Sequence, residues 1–424
     1  MSTQRPLSSE LSTTRLRILI GADTFLPDVN GAARFTRDLS VRLARRGHDV
    51  HVVAPSTSTR SVAGIELIDG QQITVHRLGS VRWPSHDWLR FVPPWRVRAA
   101  AARILDQVHP DVVHVQSFIN IGRGLAREAH ARGLPLMATN HVMPDNIVDV
   151  SGFPEMLKPR LAQIGWNLAD SVLTLADTVT SPTPIAARYL TENTSVDNVI
   201  PLSCGIDLER FTPRFERPEG NRVVYVGRLD PEKNIDTLLT AFSLIPRELS
   251  GGLDLVGGGT AHGRLAACAR DLGIEDRVVF HGRVSDERLI ELHEQASVFV
   301  MASTAELQSI ATLEAMACGT PVVLADAMAL PHLIEPGENG HLVEPHNAQE
   351  FARAIESILR NDDAADERMR RAAFGKAQEH DAQTVILRYE NLYEQIAVVT
   401  QSKINDEAEA DGEAGAADEE DAAA

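Results

Sequence analysis

A strand–helix–strand unit near the start of the chain narrows the choice of fold more than any other feature. Residues 17–21 and 50–54 are short apolar runs typical of buried strands. Residues 32–46, which lie between them, repeat apolar side chains at the spacing of one helix face. Two strands joined by a helix run parallel, because the helix returns the chain to the same end of the sheet. The pattern therefore predicts an α/β domain with a parallel sheet.

The alternation of strand and helix restarts in the second half of the chain. Further strands are predicted at residues 112–115, 136–139 and 178–181 in the first half, and at residues 222–227, 253–256 and 278–280 in the second. A chain of 424 residues also exceeds the size at which one hydrophobic core keeps growing. We therefore expect two Rossmann-like domains, with residues 199–207 as the linker between them.

Composition indicates a cytoplasmic protein that does not bind nucleic acid. The three cysteines are widely spaced and odd in number, which argues against a disulfide framework and against a zinc site. No apolar run approaches the roughly 18 residues of a membrane-spanning helix, and the polar residues 1–14 lack the apolar core of a secretory signal. The net charge of −18 is anionic, and half of it comes from the nine acids of residues 406–421. Any association with a membrane is expected to be peripheral.

Two glutamates frame the most distinctive stretch of the chain. Glu306 follows an apolar strand predicted at residues 296–302, and Glu314 lies eight positions later on or near the next helix. Ligands bind outside the carboxyl ends of parallel strands, where Glu306 is placed. An ionised carboxylate only accepts hydrogen bonds, so it suits a pair of sugar hydroxyls. By spacing alone the alternative is an ordinary helix glutamate and a solvated loop residue.

The run Glu-Ala-Met-Ala-Cys-Gly-Thr-Pro-Val-Val at residues 314–323, with Glu306 before it, resembles glycosyltransferase family 4. These are retaining enzymes of the GT-B fold, in which two Rossmann-like domains face a cleft. The resemblance implies that Glu314 holds the ribose hydroxyls of a nucleotide and that Glu306 holds hydroxyls of the transferred sugar. Many members have Gly-Phe-Gly after the first glutamate. In this chain Leu307 and Gln308 occupy the first two of those three positions, and their backbone amides are expected to reach the sugar and phosphate.

The GT-B resemblance divides the chain into five predicted segments. Residues 1–14 are a disordered N-terminus and residues 15–200 an acceptor-side Rossmann-like domain. Residues 201–380 form the nucleotide-sugar-binding domain, and residues 381–400 a helix that crosses back to the first domain. Residues 401–424 are a disordered acidic tail.

A second match to the family is the grouping Gly-Arg-Leu-x-x-x-Lys-Asn at residues 227–234. The resemblance implies that Arg228 and Lys233 clamp the donor diphosphate, whose leaving oxygen develops negative charge. The alternative is a pair of solvated surface cations. No two aspartates lie two positions apart, so the Asp-x-Asp metal motif of many other glycosyltransferases is missing. We expect no cofactor and no metal, with a nucleotide diphosphate sugar as co-substrate.

Residues of the first domain complete the site that the resemblance implies. His141 follows a strand and is expected beside the sugar, within a His-x-Met-Pro-x-Asn run similar to that of members with lipid acceptors. Asp145, Asn146 and Asn30 are assigned to the acceptor side. Gly31 opens a helix N-terminus that suits an anion, although many members have a second glycine where this chain has alanine. Arg283 and Val284 follow the glycine of a Phe-His-Gly run, and the resemblance implies that their backbone groups contact the donor base.

A basic aromatic segment suggests how a lipid acceptor is reached. Amphipathic aromatic side chains beside arginines suit the surface of a membrane. A packed loop and helix with solvated arginines is an equally good interpretation. The segment contributes Trp83, Trp88, Arg90, Trp95 and Arg96.

The sequence thus predicts a retaining, metal-independent enzyme that moves glucose or mannose from a nucleotide diphosphate sugar such as UDP-glucose or GDP-mannose. The acceptor is expected to be a membrane glycolipid of the diacylglycerol type, reached from the inner face of the plasma membrane. Alternatives are a soluble sugar or inositol phosphate acceptor, and a GT-B sugar-nucleotide epimerase.

Overall fold

The computed structural model describes residues 14–28, 30–82, 90–149, 154–400 and 402. Two sheets, each covered by helices, account for most of these residues, and the chain completes the first sheet before it begins the second. The fold prediction of two Rossmann-like domains in an α/β protein is confirmed.

The N-terminal domain is built on an eight-stranded sheet with the order β10-β9-β8-β7-β1-β2-β4-β3. Its strands are parallel except for β3, which pairs antiparallel with β4. The sheet strands are β1 (Arg17–Gly21), β2 (Asp49–Pro55), β3 (Val62–Ile68), β4 (Gln71–Leu78), β7 (Val112–Val115), β8 (Leu136–Thr139), β9 (Thr178–Ser181) and β10 (Val199–Pro201). A separate two-stranded ribbon is formed by β5 (Val81–Arg82) and β6 (Arg90–Phe91). The helices are α1 (Gly31–Arg45), α2 (Pro94–Val108), α3 (Ile121–His130), α4 (Pro144–Asp149), α5 (Lys158–Leu173) and α6 (Pro184–Asn193).

The C-terminal domain carries a six-stranded, fully parallel sheet with the order β13-β12-β11-β14-β15-β16. The order reverses at β11, so the crevice beside its carboxyl end is the expected ligand site. The strands are β11 (Arg222–Val226), β12 (Gly252–Val256), β13 (Val278–Gly282), β14 (Ala296–Met301), β15 (Val322–Ala325) and β16 (Gly340–Val343). The helices are α7 (Ile235–Leu244), α8 (His262–Asp271), α9 (Asp286–Glu294), α10 (Ile310–Ala317), α11 (Ala348–Leu359) and α12 (Asp363–Gln378).

A last helix, α13 (residues 382–400), leaves the second domain and packs on the first. Tyr389 and Tyr393 of α13 are fully buried in the same apolar cluster as Ile18 and Ile20 of β1 and Phe35 of α1. The two domains are therefore joined twice, once by the segment that follows β10 and once by α13.

The antiparallel edge formed by β3 and β4 was not predicted by the strand–helix pattern, and the predicted linker at residues 199–207 begins instead with strand β10, which pairs with β9. The turn between β3 and β4, Asp69–Gly70, has φ values of 46° and 78°, as a tight hairpin requires. Ile65 and Leu67 of β3 are mostly exposed, at 68% and 75%, so this strand lacks the buried apolar pattern of the others. The Asp-Gly pair was the one signal for it in the sequence.

Candidate functional site

The clearest pair of predicted site residues is Lys233 and Glu306. Lys233 lies in a short turn after β11, and Glu306 lies in the loop after β14, the neighbouring strand. The Lys233 Nζ atom is 2.6 Å from Glu306 Oε1 and 3.5 Å from Ser303 Oγ. The lysine is 9% exposed. Sheet order therefore brings together two opposite charges that are 73 positions apart, at the carboxyl edge where ligands bind.

Arg228 lies beside this pair but is engaged by nearby acids. Its guanidinium is 2.5 Å from Asp230 Oδ2 and 2.7 Å from Glu232 Oε1, while its side chain is 40% exposed. The loop that carries Arg228 packs against the glycine-rich loop after β12. A Cβ on Gly257 would lie 1.9 Å from the Gly227 carbonyl oxygen. That glycine is therefore required by the contact between the loops, which in turn fixes the backbone of Arg228.

Glu314 faces the first domain from α10. Its Oε1 atom is 2.5 Å from Arg34 Nη2 of α1, and its Oε2 atom is 3.8 Å from His293 Nε2. The Glu314 side chain is 2% exposed. Burial by itself would raise the pKa of this carboxyl, but the charge of Arg34 and the contact with His293 hold the pKa below its usual value. Glu314 is thus an ionised, buried acceptor held across the two domains.

The loop between the two glutamates contacts both the first domain and the linker. Leu307 packs on the apolar core of the first domain, and its carbonyl oxygen accepts a hydrogen bond of 3.1 Å from Thr183 Oγ1. The Gln308 side chain accepts from the Cys204 backbone N–H at 2.8 Å and donates to Ser203 Oγ at 2.6 Å. The side chain of Gln308 therefore binds the linker, which leaves the backbone of the loop for any contact with a donor.

His141 follows β8 and lies on the first domain's side of the site. Its Nε2 atom is 2.8 Å from Gln116 Oε1, and its ring centroid is 4.7 Å from that of Phe35. Burial lowers the pKa of His141 to about 4. At neutral pH this imidazole is uncharged, so it acts through hydrogen bonds and not through a positive charge.

Of the remaining predicted residues, Asn30 and Asp145 on the acceptor side have local partners. Asn30 caps α1, since its Oδ1 atom accepts from the Ala33 backbone N–H at 2.9 Å. Gly31, which was predicted for donor binding, is exposed, and a Cβ there would meet no atom within 4 Å. Asp145 accepts hydrogen bonds from Trp166 Nε1 at 2.9 Å and Tyr189 Oη at 3.5 Å. Asn146 belongs to α4, and its side chain lies outside the described structure.

Two of the predicted donor residues lie at the edge of the second sheet. Arg283 is exposed and Val284 half-buried, directly after β13. In the proposed membrane segment, Trp95 is 75% exposed and Arg96 is exposed in the first turn of α2. Arg90 is half-buried and donates to Ser56 O at 3.3 Å and to Ser80 Oγ at 3.2 Å. Trp83 and Trp88 lie outside the described residues.

Within the described residues, no three His, Cys, Asp or Glu side chains are grouped as metal ligands. In the same part of the chain no helix combines the length and apolar character that crossing a membrane requires.

Two residues of the site were missed in the sequence, namely Arg34 and Gln116. Arg34 lies in the first turn of α1 and pairs with Glu314, whereas Gln116 directly follows β7 and contacts His141. Position at the carboxyl end of a strand was an available signal for Gln116. No such signal exists for Arg34, because its partner belongs to the other domain.

Comparison with known proteins assigns each domain to a family model. The model described as "Glycosyltransferase Family 4" matches residues 29–210, and the model described as "Glycosyl transferases group 1" matches residues 209–376.

Two named relatives match most of the chain. The GDP-mannose-dependent alpha-mannosyltransferase of Mycobacterium tuberculosis is 30% identical over 341 residues, which are 77% of this chain and 84% of the relative. The D-inositol 3-phosphate glycosyltransferase of Mycobacterium sp. (strain JLS) is 29% identical over 368 residues, which are 82% of this chain and 81% of the relative.

Solved structures share the fold. Sucrose-phosphate synthase from Thermosynechococcus elongatus superposes with a TM-score of 0.75 at 23% identity, covering 90% of this chain and 100% of that one. Anabaena HepE in complex with UDP superposes with a TM-score of 0.65 at 20% identity, covering 91% of this chain and 100% of that one. At these identities the likeness concerns the fold alone.

Proposed function

The chain belongs to the family 4 glycosyltransferases, which use nucleotide sugars, and we propose that within this family it is a retaining, metal-independent hexosyltransferase. The observation that carries this proposal is the ion pair between Lys233 and Glu306, 2.6 Å apart at the carboxyl edge of the second sheet. A cation suited to the diphosphate and an acceptor suited to sugar hydroxyls lie next to each other, which supports the proposal.

Donor binding exchanges the partners of this pair. The diphosphate takes the ammonium group of Lys233 and one face of the Arg228 guanidinium, while Glu306 is released to accept hydrogen bonds from sugar hydroxyls. The ionised carboxylate of Glu314 holds the ribose hydroxyls. Lys233 thereby exchanges a carboxylate for a phosphate oxygen, and Glu306 exchanges an ammonium group for hydroxyl donors, so both ionised groups keep hydrogen-bond partners.

The transfer step takes place on one face of the sugar. The bond between the anomeric carbon and the diphosphate oxygen breaks, and the acceptor oxygen bonds to the same face of that carbon. The acceptor proton passes to the departing diphosphate oxygen. Lys233 and Arg228 stabilise the negative charge that develops on that oxygen. Stabilisation of developing charge is usually the largest single contribution of fixed charged groups to catalysis. Closure of the two domains excludes water.

GDP-mannose and UDP-glucose are the proposed donors, and GDP-mannose is the first to test. The M. tuberculosis relative that carries GDP-mannose in its name covers most of the chain at 30% identity. The proposed acceptor is a membrane glycolipid of the diacylglycerol type, supported by Trp95 and Arg96 on the exposed first turn of α2. An exposed indole beside an arginine suits the interface of an anionic membrane, where the enzyme would bind peripherally from the cytoplasm.

A soluble inositol phosphate is the second candidate for the acceptor. Several relatives, among them the one from Mycobacterium sp. (strain JLS), are named D-inositol 3-phosphate glycosyltransferases. Labelled GDP-mannose or UDP-glucose incubated with the protein, EDTA and either lipid extract or inositol phosphates separates the two. We expect label in the lipid fraction, and label in water-soluble products alone would replace the lipid acceptor with a soluble one.

The membrane contact has its own test, sedimentation with vesicles of anionic phospholipid. Trp95→Ala is expected to reduce the bound fraction several-fold, because the indole supplies much of the buried apolar area. Leu244→Ala is the matched control, since Leu244 is a 50% exposed apolar residue on α7 of the second domain. Equal binding by the wild type and Trp95→Ala would contradict the proposed surface.

A further inference from the structure

Gln116 is a buried residue behind His141 to which no role has been given so far. It is 2% exposed, and its backbone N–H donates to the Gly21 carbonyl oxygen at 2.8 Å. Its Oε1 atom is 2.8 Å from His141 Nε2. An amide oxygen can only accept a hydrogen bond, so the ring hydrogen of His141 must be on Nε2 and the lone pair on Nδ1.

The orientation of the Gln116 amide is set by the residue beneath it. The Gln116 Nε2 atom is 3.2 Å from both ring nitrogens of His114, so the amide nitrogen lies over that ring. An N–H group is attracted to an electron-rich ring, whereas an oxygen in the same place would be repelled. The amide nitrogen therefore points to His114, and the amide oxygen points to His141.

His114 is itself held from two sides. Its Nδ1 atom is 2.7 Å from Tyr393 Oη, and its Nε2 atom is 2.7 Å from Thr139 Oγ1. His114 is fully buried, and burial together with nearby His141 lowers its pKa to about 3. Because Tyr393 belongs to α13, a continuous stack of polar groups leads from the crossing helix through His114 and Gln116 to His141.

The surroundings of His141 keep its ring neutral. Phe35 of α1 covers one side of the ring. Gln116, which directly follows β7, contacts its Nε2 atom, and His114 within β7 lies behind Gln116. The one titratable group among these is His114, which is uncharged. Among the described residues the Nδ1 atom of His141 has no hydrogen-bond partner, and the residue is half-exposed.

We propose that Gln116 is a positioning residue that fixes His141 as a neutral imidazole whose Nδ1 lone pair accepts a hydrogen bond from a hydroxyl group of the transferred sugar. A neutral lone pair attracts a hydroxyl and repels a phosphate oxygen, so the ligand group at this point is a hydroxyl. The identity of that hydroxyl rests on the proposed function. The tautomer of His141 does not, because it is a property of the protein without substrate.

The first test is nuclear magnetic resonance of the full chain labelled with ¹⁵N-histidine, without substrate, with His141→Gln used to assign the signals. We expect the Nε2–H tautomer of His141 from pH 5.5 to 7.5. In Gln116→Glu the new carboxylate favours the imidazolium, so the pKa of His141 should rise by more than one unit. In Gln116→Leu the acceptor is lost, and the ring should show a mixture of tautomers.

Transfer kinetics supply the second test. Gln116→Leu is expected to lower kcat about tenfold, in the range of one lost hydrogen bond, with less change in the KM of the donor. Gln116→Glu should make kcat rise with pH through the new pKa of His141. Gln163→Glu, an exposed change on α5, is the matched control and should leave both unchanged.

The outcomes separate the two parts of the proposal. An Nδ1–H tautomer in the wild type, or an unchanged pKa in Gln116→Glu, would overturn the positioning role. The expected tautomers with unaltered transfer by both Gln116 variants would overturn the hydroxyl contact. A wild type without transferase activity would contradict the proposed function alone, since the tautomer measurement still decides the positioning role.

Discussion

At the residue scale, the site consists of charges that are already paired before any ligand arrives. Lys233 is paired with Glu306, Arg228 with Asp230 and Glu232, and Glu314 with Arg34. These three cations face four carboxylates, so the proposed −2 diphosphate would enter a site that already carries a net charge of −1, and its binding has to exchange partners. This arrangement gives each buried charge a partner of opposite sign, which an isolated lysine or glutamate at this depth would lack.

Glu314→Gln tests the ribose contact. A neutral amide replaces charge-assisted hydrogen bonds to hydroxyls by weaker neutral ones, a loss of about 1.5–3 kcal/mol in total, so the Kd of GDP or UDP should rise roughly 10- to 100-fold by calorimetry. Glu294→Gln is the matched control, because Glu294 pairs with Arg214 at 2.8 Å outside the site. Equal affinities for the two variants would remove Glu314 from the nucleotide site.

The contribution of Glu314 to nucleotide affinity should not change between pH 7 and pH 5. Its pKa lies below the usual value near 4.5, so the carboxylate remains ionised as pH falls from 7 to 5. Calorimetry at both pH values is expected to give similar Kd values for GDP-mannose or UDP-glucose, because their diphosphate is esterified at both ends and, unlike the terminal phosphate of GDP or UDP, takes up no proton near pH 6. A steep loss of affinity near pH 6 would mean that the contact of Glu314 with Arg34 is absent in solution.

At the scale of single elements, one helix ends in a conformation that its sequence does not favour. His109 ends α2 with φ 48°, in the left-handed region where glycine is usual. His109→Gly should therefore raise the free energy of unfolding by about 1 kcal/mol in urea. His130→Gly, within the last turn of α3, should lower it by about 0.5–1 kcal/mol. The same sign for both variants would contradict this account of the α2 terminus.

Helix α13 is expected to be essential to the first domain. Tyr389 is fully buried, and its ring centroid lies 5.7 Å from that of Phe35. Tyr389→Ala should destabilise the protein by about 3–5 kcal/mol, as large-to-small changes of buried aromatic residues do. Val398→Ala on the same helix is the control, since Val398 is 68% exposed and should change stability by less than about 0.5 kcal/mol. Chemical denaturation of both variants compares them directly.

Most elements could be predicted because their residues carry periodic signals. The α1 helix and the strands β1 and β2 follow from spacing and apolar runs. Strand β3 could not, since Ile65 and Leu67 are exposed and break the rule that apolar runs are buried. In the site, Lys233 and Glu306 were predicted by their motifs, but their contact depends on β11 lying next to β14, which no local pattern encodes. Arg34 depends on contact between domains and was missed for the same reason.

At the scale of the whole molecule, buried neutral histidines make stability depend on pH. Burial lowers the pKa values of four of them to about 3–4: His76, His114, His141 and His380. Between pH 6.5 and 4 the unfolded chain binds protons that the folded protein does not, so stability must fall as pH falls. Each such group contributes up to about 1.4 kcal/mol per pH unit.

Urea midpoints at pH 7, 6 and 5 measure this dependence. We expect a small change from pH 7 to 6 and a steeper loss below pH 6. His114→Gln, which removes the most buried of these titrating groups, should flatten the lower part of the curve. A midpoint that stays constant down to pH 5 would show that these rings take up protons in the folded state.

The molecule joins its two domains by the segment after β10 and by α13, and the candidate site lies between loops of both domains. Its proposed function is the transfer of a sugar from a nucleotide sugar. The most direct measurement is the release of GDP from GDP-mannose, or of UDP from UDP-glucose, by the purified protein with lipid extract and EDTA. We expect steady release by the wild type and by Lys376→Ala, and a rate about 10²- to 10³-fold lower for Lys233→Ala, as for loss of one group that stabilises developing charge. Equal rates for the two lysine variants, or release that requires an added metal ion, would contradict the proposed mechanism.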